Sequence, residues 1–242
     1  MVHKLAIVAV IGLSASAVCM GAAAAIGGNE FGKGFDGVDL SMFGDRPRCE
    51  RIESANATSR EMEWDDSDRV SLSVGGHATY TPGTDNKVHA SGDPQTLAHL
   101  RVRDGKIEMD CNGHLSRDLQ ITLPGREFKK FGIAGSGNLE LQNLNQERVK
   151  LSIAGSGNIK ADGKVEHTEI HIAGSGDVDT THVEARVTEV HIAGSGNTDI
   201  APTDEADIHV AGSGDVNLHT NPKKLETHIA GSGRIHNVGA GG

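Results

Sequence analysis

In the second half of the chain, apolar and polar residues recur in step with one short phrase. Ala-Gly-Ser-Gly begins at Ala134, Ala154, Ala173, Ala193, Ala211 and Ala230, at intervals of 20, 19, 20, 18 and 19 residues. One place before each alanine stands Ile133, Ile153, Ile172, Ile192, Val210 or Ile229; three places before stands Phe131, Leu151, Ile170, Val190, Ile208 or Thr227. Residues two apart on a strand share a face, so these columns predict a strand with an apolar inner side. A later column, Leu139, Ile159, Val178, Thr198, Val216 and Ile235, predicts a second strand of the same kind. The glycines between them predict a corner, where positive φ and close backbone approach are tolerated.

A period near 19 residues is that of a solenoid, in which each coil buries its apolar face only against its neighbours. The predicted fold is therefore all-β: a right-handed parallel β-helix of about six coils of 18–20 residues, preceded by a strand-rich part. Its hand follows from the preference of parallel crossovers. The alternative is a sandwich of stacked antiparallel hairpins.

Upstream, over residues 60–125, short alternating runs such as "RVSLSV", "HATYT", "KVHAS", "LAHLRVRDGKIEMD" and "DLQITLP" predict strands, and Asp104-Gly105 predicts a type I′ hairpin. Trp64 and Tyr80 are expected to pack there with their polar ends at the surface. Residues 26–59 read as a lead-in or linker, 126–238 as the solenoid repeats and 239–242 as a flexible tail.

The first 25 residues carry a short basic start, then an uncharged apolar run ending in small residues, which predicts an export signal. The run is also long enough for an uncleaved membrane anchor, and Cys19 raises a lipid attachment site, although Val18 is bulky for one. Each reading places the rest of the chain outside the cytoplasm, in the periplasm, the outer envelope or at the cell surface. In that compartment Cys49 and Cys111 are a candidate disulfide pair, with two separate buried thiols as the alternative.

A net charge of −10 with no basic patch argues against nucleic acid and anionic lipid as partners, leaving membrane contact to the N-terminal segment. The sequence holds no Phe, Tyr or Trp after Phe131, so the repeats cannot floor a sugar-binding groove with aromatics.

Two polar columns are candidates for chemistry. Two places before the alanines stand Gly132, Ser152, His171, His191, His209 and His228, so four imidazoles are predicted to line up along the outside. They are weak candidates for zinc or copper, because a straight ladder does not build a tetrahedral site; a solvated or self-stacked histidine face is the plainer reading. Mutual repulsion is expected to lower their proton affinity. After each Gly-Ser-Gly stand Asn138, Asn158, Asp177, Asn197, Asp215 and Arg234, which suit calcium less well than local turn bonding. No catalytic residues and no cofactor are indicated; six equivalent serines argue for structure.

The recurrent phrase with its following aliphatic residue, as in "IAGSGNI" at 153–159, resembles the head GIN domain of auto-transporter adhesins, over about residues 50–238. The resemblance implies an exported bacterial protein with a β-helical fold and a surface or adhesive role, and it supplies no catalytic residues. Arg234 in the last copy and Gly132 in the first depart from the pattern, as end repeats of a solenoid do. The expected function is non-catalytic binding of an envelope protein or glycan. A purely structural envelope protein and a polysaccharide-acting enzyme are the alternatives.

Overall fold

The computed structural model describes residues 46–113 and 118–239 of the chain. The export segment, Cys19, the lead-in before residue 46 and the last residues of the tail lie outside the described residues.

In chain order the elements are β1 (Ser59–Glu63), β2 (Arg69–Leu72), β3 (His77–Tyr80), β4 (Lys87–Ser91), a short helix α1 (Pro94–His99), β5 (Leu100–Arg103), β6 (Lys106–Met109) and β7 (Gln120–Thr122). The repeats supply β8 (Lys130–Gly135), β9 (Asn138–Gly155), β10 (Asn158–Gly174), β11 (Asp177–Gly194), β12 (Thr198–Ile200), β13 (Pro202–Gly212), β14 (Val216–Leu218), β15 (Lys224–Gly231) and β16 (Ile235–Asn237).

The repeats stack in parallel and in register. Ile133, Ile153, Ile172, Ile192, Val210 and Ile229 are successive ladder partners, and so are the six alanines that follow them. Leu139, Ile159 and Val178 pair in the same way, followed by Thr198, Val216 and Ile235. The result is a β-solenoid, and parallel pairing of the repeats excludes the stacked-hairpin sandwich. The inner columns are sealed from Phe131 through Val216, because each β-branched or aliphatic side chain packs on its counterparts one coil above and below.

The stack begins earlier than the repeats. Val70 and Leu72 of β2 pair with Phe131 and Ile133, and His77 and Ala78 of β3 pair with Asn138 and Leu139, so residues 69–80 form a further coil. Beyond it lie β6 and β7, also parallel to β2 and β3. The chain therefore lays down 69–80, runs outward to 106–122, then returns to the other side of 69–80 to start the repeats. Antiparallel strands finish this end: β5 on β6, β4 on β7 and β1 on β4. Asp104 and Gly105, with φ of 50° and 74°, make the predicted hairpin turn.

Two expectations are corrected. Residues 97–99, read as the start of a strand, instead end the helix Pro94–His99: Asp93 caps it by accepting from the Thr96 amide at 2.9 Å, and Pro94 suits its first turn. Trp64 and Tyr80 do pack, in an aromatic cluster with Phe128 and Phe131, but their polar ends are inside. Trp64 Nε1 donates to the Ser67 carbonyl at 3.1 Å and the Tyr80 hydroxyl to the Arg126 carbonyl at 3.0 Å.

Candidate functional site

The corner that positions the polar columns is built from two glycines with different duties. The first, Gly155, Gly174, Gly194, Gly212 or Gly231, holds φ between +131° and +140°. The second, for example Gly176, lacks this φ, yet a Cβ there would lie 2.2 Å from the Gly157 carbonyl oxygen and 2.7 Å from Ile153 Cγ2. Only glycine lets neighbouring coils close to this distance. Outward side chains at the corner are thereby held at strand spacing.

The histidines form a continuous stack. Ring centroids are 4.8 Å apart for His171 and His191, 5.0 Å for His191 and His209, and 4.8 Å for His209 and His228, with interplanar angles of 9°, 10° and 21°. His171 and His191 are buried, whereas His209 is partly open and His228 exposed, so the face is not uniformly solvated.

Beside the stack runs a ladder of acids that sequence reasoning missed, at Glu169, Glu189, Asp207 and Glu226. His171 Nε2 bonds Glu169, His191 Nε2 bonds Glu189 at 2.6 Å, and His209 Nε2 lies 3.1 Å from Asp207. The spacing, an acid two places before each histidine, was present in the sequence as a signal. Glu169 also holds Lys150 at 2.8 Å, and the His171 bond with this ion pair keeps its carboxyl down at about 2. The proton affinity of His171 is lowered chiefly by burial, with Lys150 and His191 contributing less and Glu169 opposing. Desolvation, rather than mutual repulsion, leads.

The Asn/Asp column also forms a ladder, bonded from coil to coil rather than within its own turn. Asn158 Nδ2 donates to Asn138 Oδ1 at 2.9 Å, the Asn197 amide to Asp177 Oδ1 at 2.9 Å, the Asp215 amide to Asn197 Oδ1 at 3.2 Å and the Arg234 amide to Asp215 Oδ1 at 2.8 Å. These side chains satisfy backbone groups where the corner interrupts strand pairing. Over this ladder lies an open trough of about 550 Å³, lined by His77, Glu140, Lys160, Asp177, Asp179 and Asp199 among others. It spans β3 and β9 to β12 and mixes both signs of charge with amides.

Cys49 and Cys111 form a disulfide, which ties the segment before β1 to the end of β6. Near it, His99, Asp110 and Cys111 are the one group among the described residues close enough to share a metal ion. The Cys111 sulfur is committed to Cys49, while His99 already bonds Asp110 at 2.8 Å and the Glu50 carbonyl at 2.9 Å. A thiolate is the ligand form of cysteine, so this cluster is a structural contact.

Among solved structures, an adhesin described as putative from Bacteroides fragilis superposes with a TM-score of 0.60 at 18% identity, covering 74% of this chain and 96% of that one. A "putative lipid binding protein" from Parabacteroides distasonis gives 0.47 at 21% identity, over 74% and 96% of the two chains. A "putative adhesin" from the same species gives 0.48 at 16%, over 80% and 100%. At 18% identity the likeness to the Bacteroides fragilis structure is one of fold. No curated protein matches the chain. Residues 107–222, just under half of the chain, match the family model described as "Putative auto-transporter adhesin, head GIN domain", and these residues, with their stacked glycine corners, carry the likeness to that family.

Proposed function

We propose that the chain is an exported, non-catalytic binding module whose partner lies along the trough above β9 to β12. One observation carries this reading: the trough crosses several coils and presents a regular row of amides, carboxylates and Lys160 on a rigid frame. An extended partner can be met by such a row one coil at a time. The absence of Phe, Tyr and Trp after Phe131 favours the polar surface of an envelope protein over a sugar chain. The match of residues 107–222 to an adhesin family model supports a surface role of this general kind.

The test is capture from envelope extracts and a glycan array, run in parallel with the whole chain and a Lys160→Glu, Asp179→Lys double variant. The reading expects capture of an envelope protein that falls about tenfold or more in the variant. Saturating bait that captures nothing in either format would sink it and favour a purely structural protein. Export is tested by N-terminal sequencing: a new terminus within or just after residues 22–25 supports a cleaved signal, and an intact Met1 supports an anchor.

A further inference from the structure

The two ends of the solenoid are finished differently. The N-terminal end finishes in antiparallel strands, with β1 and β5 as its edges, whereas the other end finishes in β15, a strand of the parallel stack that pairs with β13 and, among the described residues, with nothing on its far side. Leu225 and Ile229, in columns sealed elsewhere, are 45% and 44% exposed.

The backbone of β15 is also turned outward. The Lys150 amide donates to the Lys129 carbonyl, so backbone groups of that column point back down the stack. Register carries the column through Glu169, Glu189 and Asp207 to Glu226. Backbone groups alternate along a strand, so those of Leu225, Thr227 and Ile229 point out of the stack, where they form a template for another strand.

We propose that the occupant is a second copy of this chain, with β15 pairing antiparallel to β15 about a two-fold axis at Thr227. The segment reads Leu225-Glu226-Thr227-His228-Ile229, and pairing centred on Thr227 makes it complementary to itself. Leu225 meets the partner's Ile229 on the core side. Glu226 meets the partner's His228 on the outer side, and Thr227 meets its own counterpart. A two-fold interface requires this self-matching.

The register is specific as well. Sliding by two residues in one direction sets Glu226 against itself, and in the other sets His228 against itself, replacing a carboxylate–imidazole pair with like groups. In the preceding coils the carboxylate is held by the histidine two places on. In this coil Lys224 holds Glu226, at 2.9 Å.

The experiment is sedimentation equilibrium of the full chain in a non-ionic detergent, with circular dichroism to confirm that each variant keeps its strand content. The expected result is a reversible monomer–dimer equilibrium with no larger species. Leu225→Lys should raise the dissociation constant about tenfold or more, since a charge would be set in the joined core. Glu226→His and His228→Glu should each raise it about tenfold, and the double exchange should return it to within about threefold of the original. The proposal is overturned by a monomer persisting to about 100 µM. It is equally overturned by a dimer indifferent to Leu225→Lys, by open-ended polymers, or by single exchanges that the double exchange fails to rescue.

Discussion

The carbonyl oxygen of Gly155 lies 2.2 Å from where a Cβ would stand on Gly174, one coil along. Gly174 also holds φ at +132°, so alanine there meets both a strained backbone and a backbone atom that cannot move aside. Gly135 has a similar φ, +124°, yet nothing lies within 4 Å of its would-be Cβ. The two positions separate strain from collision. Gly174→Ala is expected to cost more than about 3 kcal/mol and Gly135→Ala about 1 to 2 kcal/mol. Guanidinium denaturation midpoints of the two variants check the order; equal shifts would show that close packing at the corner is not what the motif provides.

Asp177 serves the neighbouring coil. Its Oδ1 accepts from the Asn197 amide at 2.9 Å and from Asn197 Nδ2 at 3.1 Å. Asp177→Ala leaves that amide to water at the surface and should cost about 1 kcal/mol, whereas Asp177→Asn keeps the accepting oxygen and should cost less than half of that. Hydrogen exchange at the Asn197 amide gives the site-specific readout. Faster exchange in the alanine variant alone is the expected pattern.

The inner columns were legible in the sequence because Ile133 to Ile229 and Leu139 to Ile235 repeat at a nearly constant interval, and a repeat in sequence becomes a stack in space. The coil at 69–80 was hidden because Ser73-Val74-Gly75-Gly76 stands where the later copies write Ala-Gly-Ser-Gly, although Gly76 keeps the place of Gly137. The reversal that sets β6 and β7 outside β2 and β3 depends on which apolar edge each later strand covers, a long-range outcome without a local mark. At the candidate site the histidine column was visible and its depth was not. Alternation says that His171 faces outward, but Lys150, Glu169 and the next ring cover it, and that depends on three coils at once.

The disulfide joins residues 62 apart in sequence and holds the start of the described chain against Asp110 and Asn112, where the Cys49 amide also donates to the Asn112 carbonyl at 3.1 Å. Closing a loop of that length should add about 4 kcal/mol by restricting the unfolded chain. Cys49→Ser with Cys111→Ser should lower the denaturation midpoint accordingly. Because the bridge lies at the N-terminal end, amides of β1, β5 and β6 should lose exchange protection before those of β10 and β11. Uniform loss across all strands would mean that the solenoid unfolds as one unit from either end.

Acid should loosen the molecule in two stages. His171 is buried, and its proton affinity lies below the ordinary value of 6.5. The unfolded chain therefore binds a proton more readily, and stability falls as the pH drops below about 6.5 toward the lower folded value. Glu169 is depressed from 4.5 to about 2 by His171 and Lys150. Its contribution is fully present above about 4.5 and disappears as the pH falls toward 2. Both signs agree: the unfolded state takes up more protons in each window, so acidification destabilises throughout. His191 on one face of the ring and Lys150 alongside add to the first stage, while Glu169 works against it. His171→Gln should flatten the stability curve just below about pH 6.5, because it removes the ring whose neutral form the fold requires, and should weaken the lower stage by taking away the main donor to Glu169. Urea midpoints measured at half-unit steps from pH 8 to pH 3 check both. An upper stage unchanged in this variant would mean that histidines elsewhere in the chain carry the effect.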